Sequence, residues 1–198
     1  MGPIGPVATA LQPNTGFFLE GATLGGVDTA DREPPGSGEG MTHVDAEGRA
    51  RMVDVSGKAH TQRRAGARAV VVLSPEVRRA AFAGELPKGE AIAVARVAGI
   101  QAAKETPRLI PLCPPLMLSS VTVDFRPVGE DRIAVTSEVV CAGPTGVEME
   151  ALTAVSVAAL TLYDMCKALH RGIRITEVEL LHKSGGRSGE WTRETGES

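Results

Sequence analysis

Residues 147–169, VEMEALTAVSVAALTLYDMCKAL, decide how the rest of the chain is read. Leu152, Val155, Ala159, Leu162, Cys166 and Leu169 recur there at three- and four-residue intervals, which lines their side chains along one face of an α-helix. The stretch predicts one long amphipathic helix, ended by Gly172. A helix with an apolar stripe must lay it on a partner, and the flanking segments supply a sheet. After the helix, Ile173–Leu181 alternates polar and apolar residues as a strand. Before it, Ser119–Phe125 (SSVTVDF) and Arg132–Val140 read as two strands joined by the turn residues Gly129, Glu130 and Asp131.

Further upstream, the β-branched run Ala67–Leu73 (ARAVVVL) predicts a strand. Ser74 followed by Pro75 marks a helix start, with Ser as N-cap and Pro in the first helical position. That helix runs to about Ala83 and ends at Gly84. A second helix spans Lys88–Lys104, apolar at positions 92, 95, 98 and 102, and Pro107 stops it. The segment LIPLCPPLML carries three prolines and is irregular. Strand, helices, strand, strand, helix, strand is the split βαβ order. The expected fold is α+β: a ferredoxin-like antiparallel sheet with helices on one face. A second chain would cover the other face.

The 198 residues suit one domain with a flexible end. Residues 1–42 are rich in Gly, Pro, Thr and Ser and show neither period, so they are expected to be a disordered extension, broken by one apolar patch at 16–19. The domain is expected over 43–192, with a flexible tail at 193–198. Hydrophobic residues reach 42% but aromatics only 3%, so the core must be aliphatic. A net charge of −3 argues against a general nucleic-acid binder, while a small anion needs only a few local cations. Cys113, Cys141 and Cys166 are odd in number and lack Cys-x-x-Cys spacing. They are expected as buried free thiols in a reducing compartment, not as a disulfide framework or zinc site. The first sixteen residues are not expected to act as a secretory signal, and the most apolar run, Ala151–Leu162, is expected to be too short to span a bilayer. A soluble cytoplasmic protein without a membrane partner is expected.

Several residue groups can carry chemistry. The cation-rich points are Lys88, Lys104, Lys167, Lys183 and Arg187. Lys167 follows Asp164 by three residues, so the two share a helical face. Each favours the other's charged form. Such a pair is structural in one reading and an acid–base pair in a cleft in another. Glu148 and Glu150 suit a helix first turn, facing the positive end of the macrodipole. If the glycines and proline before them keep the backbone extended, both carboxylates point to one side. KSGGRSG, from Lys183, offers backbone N–H groups and cations to an anion, without P-loop spacing. His43, His60, His170 and His182 form no ligand-spaced cluster, so solvated or capping roles are expected and no metal site.

Four motifs match one family: MVDVSGK from Met52, ARVAGIQAAKETPRLIPLC from Ala95, TGVEMEALTAVSVAALTLYDMCKA from Thr145 and LLHKSGGRSG from Leu180. Together they resemble the MoaC family of cyclic pyranopterin monophosphate synthases over roughly residues 41–191. The resemblance implies a hexamer, a trimer of dimers, with sites at subunit interfaces. It implies conversion of 3′,8-cyclo-7,8-dihydro-GTP to cyclic pyranopterin monophosphate with release of diphosphate, and no metal or organic cofactor. Residue by residue, it implies catalytic roles for Asp164, Lys167 and Lys88. It implies substrate contacts for Leu112, Cys113 and position 114, for Glu148, Met149 and Glu150, and for Lys183. Asp164 with Lys167 would be the acid–base pair, and Lys88 and Lys183 would hold phosphates or developing anions.

The chain departs from the family at Pro114, where the pattern has His. Proline offers no side-chain donor or acceptor and lacks the backbone N–H. Lesser departures are Arg187 for Lys, Gly57 for Ala and the N-terminal extension; Arg still binds phosphate bidentately. Pro114 leaves an alternative open, a catalytically impaired MoaC-like nucleotide-binding scaffold or regulatory paralogue. A single helix from Glu150 to Asp164 would separate them by about 21 Å. Either the Glu segment is not helical, or the site combines residues from two chains.

Overall fold

The computed structural model describes residues 49–194 apart from 53, 56 and 188. The expected extension at 1–42 and His43 lie outside the described residues. The elements follow the chain as β1 Thr61–Val72, α1 Pro75–Ala83, α2 Ala91–Leu109, β2 Leu118–Val128, β3 Arg132–Gly143, α3 Glu148–Cys166, β4 Arg174–Ser184 and β5 Trp191–Thr192. They build one five-stranded sheet in the order β2-β3-β1-β4-β5, and every pairing is antiparallel. This is the expected α+β, ferredoxin-like arrangement.

Alternation along the central strands sorts residues between two faces. On β1, Ala65, Ala67, Ala69 and Val71 are buried; opposite them on β3 lie Val139, Ser137, Val135 and Ile133, all buried. From α3, Ala151, Ala154, Val155, Ala158, Ala159 and Leu162 belong to the same core. Small side chains on both layers let α3 come close to the sheet, which is how a chain with few aromatics fills its interior. By length and composition alone the 19-residue α3 is long and apolar enough to cross a membrane, as a core helix of this length also is. The ends of the helix lengthen it beyond residues 151–162, and the face carrying Ala151, Ala154, Val155, Ala158, Ala159 and Leu162 is buried in the core, while Leu160 is exposed.

Local signals place several boundaries well. Ser74 Oγ accepts the Val77 N–H, Pro75 opens α1, and Gly84 closes it with φ 73°. Pro127 is held in β2, an edge strand, where its missing N–H interrupts no central ladder. Three expectations are corrected. Lys88 precedes α2, which starts at Ala91, and Pro107 lies inside that helix. Pro107 stands only two residues before the helix end, and the Ile110 N–H to Thr106 O bond (2.9 Å) still closes the last turn. Gly172 does not end α3: the helix stops at Cys166, Lys167 is its C-cap, and Leu169 is exposed beyond it.

Candidate active site

Both ends of α3 carry predicted site residues. At its N-terminus the chain leaves β3 at Gly143 and enters the helix at Glu148. Of the two readings of Glu148 and Glu150, the helical one holds. Val147, the N-cap, makes no side-chain cap bond, so the two acidic residues face first-turn N–H groups without a side-chain cap. Helical geometry turns Glu148 and Glu150 apart. Glu148 is half-buried and its Oε1 lies 3.0 Å from Lys183 Nζ. Glu150 points inward and is 3% exposed.

A cavity of about 450 Å³ opens at this helix end. Leu112, Cys113, Pro114 and Leu116 form one wall; Thr145, Gly146, Glu148, Met149 and Glu150 form the other. The structure therefore brings together six of the seven residues expected to contact substrate, and Lys183, the seventh, is tied to them through Glu148. The register explains Lys183: it pairs with Ala65, whose side chain is on the helix face, so Lys183 reaches the same side.

Glu150 is the anomalous group of the cavity. Burial pushes its carboxyl up to about 7; a bond from its own backbone N–H opposes this, and the neighbouring Glu148 charge adds to the rise. Burial also raises the Cys113 and Cys141 thiols, and the charge of Glu150 raises both further. Lys183 is engaged by Glu148, and among the described residues no cation pairs with Glu150.

Sequence reasoning missed Arg63. From β1 its Nε donates to Gly143 O (3.3 Å), one terminal nitrogen to Pro144 O (3.3 Å) and the other to Gly185 O (3.0 Å). It thus fastens the segment entering α3 to the turn that follows Lys183. Gly185 and Gly186 in that turn have φ +99° and +72°, and a Cβ on Gly185 would stand 2.0 Å from Gln62 O. The two glycines of the KSGG segment are needed for this close approach. An arginine in a polar strand end carries no periodic signal, so nothing in the spacing marked it.

At the other end of α3, Asp164 receives two ammonium groups. Lys167 Nζ lies 2.8 Å from Oδ1 and Lys88 Nζ 2.6 Å from Oδ2; Lys88 also donates to the Asp164 carbonyl at 3.0 Å. The hydrogen bond from Lys167, then that from Lys88, holds the Asp164 carboxyl down at about 2, and Asp164 in turn raises Lys167. A carboxylate this stable is a weak proton acceptor near neutrality. The cluster chiefly presents two ammonium groups side by side, exposed to an incoming anion. Continuous helix from Glu148 to Cys166 keeps the cavity and this cluster about 21 Å apart within one chain.

Other singled-out residues are elsewhere. Lys104 and Arg187 are exposed. His170 Nδ1 accepts the Ser74 N–H at 3.2 Å, a capping role. On the sheet face away from the helices, His182 Nε2 lies 3.0 Å from Glu138 Oε2, and Arg64 is bound to the same carboxylate at 3.2 Å.

The MoaC family model matches residues 52–186. The cyclic pyranopterin monophosphate synthase of Pelotomaculum thermopropionicum is 56% identical over 155 residues, 78% of this chain and 91% of that protein. That of Chloroflexus aurantiacus is 55% identical over 154 residues, 77% of this chain and 94% of that protein.

Proposed function

This chain belongs to the MoaC family, and from that premise we propose that it is a cyclic pyranopterin monophosphate synthase of molybdenum cofactor biosynthesis. It converts 3′,8-cyclo-7,8-dihydro-GTP to cyclic pyranopterin monophosphate and releases diphosphate, as a phosphorus–oxygen lyase. The observation that carries this reading is the pairing of two site halves on one helix. One is a cavity walled by 112–116 and 145–150; the other is an exposed Lys88–Asp164–Lys167 cluster.

Each half suits part of a nucleotide. The cavity takes the ring system between apolar Leu112, Pro114 and Met149 and the carboxyl groups of Glu148 and Glu150. Lys183 at its rim attracts a phosphate. The two ammonium groups of the cluster stabilise charge that develops as bonds rearrange. Lys167 and Lys88 supply the positive charge, and Asp164 is their charged partner that holds them side by side. No cofactor and no metal takes part.

One substrate cannot touch both halves of one chain, because about 21 Å of helix lies between them. The complete site therefore joins the cavity of one subunit to the ammonium cluster of another, in a cytoplasmic homohexamer built as a trimer of dimers. Sedimentation equilibrium is expected to give six times the 20.6 kDa chain mass; a monomer at micromolar concentration would remove this part of the reading. For the activity, purified protein is incubated with the cyclised nucleotide and diphosphate is measured. Wild type is expected to release one diphosphate per product, and Asp164→Ala to lose at least about 100-fold in rate, the range of a lost charge-stabilising or proton-transfer group. Unchanged turnover in Asp164→Ala would refute the assignment.

A further inference from the structure

The cavity holds three groups able to exchange a proton: Cys113, Glu148 and Glu150. Two are poorly suited to do so. Cys113 is a thiol whose pKa is raised by burial, so it is not available as a thiolate near neutrality. Glu148 is committed to an ion pair with Lys183 at 3.0 Å, so its carboxylate is already partnered. Pro114, in the same wall, contributes no donor or acceptor.

Glu150 differs from both. It is the most buried group of the three, at 3% exposure, yet it lines the cavity. The charged and titratable groups around it come from every element nearby. Glu148 lies on its own helix, Cys113 in the 110–117 segment and Cys141 on β3. Arg63 on β1 is spent on three carbonyl groups, and Lys183 on β4 is held by Glu148. What surrounds Glu150 is thus neutral thiol, apolar wall and one carboxylate, with no cation committed to it.

We propose that Glu150 is the proton acceptor for closure of the cyclic phosphate in this cavity, a role that rests on the synthase reading above. A substrate hydroxyl bonds to the phosphorus nearest the sugar while its proton passes to the Glu150 carboxylate. The phosphorus–oxygen bond to diphosphate breaks, and its electron pair leaves on diphosphate. The protonated Glu150 then returns its proton to water. No oxidant or reductant is involved. Burial supports the assignment, because a carboxyl raised to about 7 is a stronger base than an ordinary carboxylate and is still largely ionised above that pH.

The test is the pH dependence of diphosphate release from the cyclised nucleotide, read as kcat from pH 5.5 to 9. Wild type is expected to fall about tenfold per pH unit below an inflection near 7. Glu150→Gln is expected to lose about 10²- to 10⁴-fold in kcat and to lose that inflection. Glu150→Asp is expected to keep an inflection and part of the rate. Infrared spectroscopy of the substrate-free wild type gives a readout independent of turnover: a protonated carboxyl band that fades near pH 7 and is missing from Glu150→Gln. A wild-type profile flat from 5.5 to 9, an inflection unchanged in Glu150→Gln, or a carboxyl band lost by pH 5 overturns the proposal while leaving the synthase reading intact. Wild type that releases no diphosphate at any pH overturns both.

Discussion

At Glu150 a single residue links burial, stability and pH. Its carboxyl is raised from the ordinary 4.5 to about 7 in the fold. A raised acid binds its proton more tightly folded than unfolded, so ionisation opposes folding. Stability is therefore lost as pH rises from about 4.5 through 7, and the loss is complete above that window. Glu150→Gln removes the ionisation. Relative to wild type it is expected to gain on the order of 2–3 kcal/mol between pH 5 and 8, measured by urea unfolding at each pH; a difference constant with pH would contradict the assignment. Asp164 carries the opposite sign. Its carboxyl is lowered to about 2, so what it contributes is present above the ordinary carboxylate range and disappears as pH falls toward 2. Both carboxylates were visible in the sequence, and spacing alone placed Asp164 beside Lys167. The contrast between them was not visible, because it arises from burial at one end of α3 and from Lys88, seventy-six positions before Asp164, at the other. Pro114 was legible as a departure, and the structure adds that the protonatable groups facing it are Cys113, Glu148 and Glu150.

Among the elements, α3 was the most legible and α2 the least. The stripe read from Val155, Ala159, Leu162 and Cys166 is buried, because a long helix crossing a sheet keeps one constant inner face. In α2 the expected stripe at 92, 95, 98 and 102 is only partly right. The buried residues are Ala91, Ala95, Gly99, Ala102, Ala103 and Thr106. Hydrophobicity favoured Ile92, but closeness to α3 favours the smallest residues. Gly99 shows why: a Cβ there would stand 2.9 Å from Ala154 O and 3.1 Å from both Ala158 Cβ and Val123 Cγ2. Ala is the better helix former by up to about 1 kcal/mol, yet overpacking at such a contact costs about 1–3 kcal/mol. Gly99→Ala is expected to lower stability by about 1–2 kcal/mol in a denaturant titration; a more stable variant would mean that the helices separate easily. In β4, the alternation expected through Leu181 is interrupted by register shifts against β1, one of them near Glu177 with φ 52°. Irregularities of this kind follow from pairing with a distant strand and leave no local mark.

At the scale of the whole molecule, the order of elements was enough to give the sheet, since split βαβ connections leave few alternatives. What the order could not give was the separation of two half-sites by the length of a helix. The sheet face away from the helices carries paired charges, including Arg64 with Glu138 and Arg68 with Glu177 and Glu179, which fits a surface that another chain or water covers. The account therefore turns on sites shared between subunits, and mixing variants tests that most directly. Asp164→Ala disables the ammonium cluster and Lys183→Ala the cavity rim. Each alone is expected to be inactive. When the two are dissociated, mixed in equal amounts and reassembled, about one site in four draws both intact halves from different chains, so about a quarter of wild-type diphosphate release should return. Mixed oligomers no more active than their parents would show that the two halves do not meet across a subunit boundary.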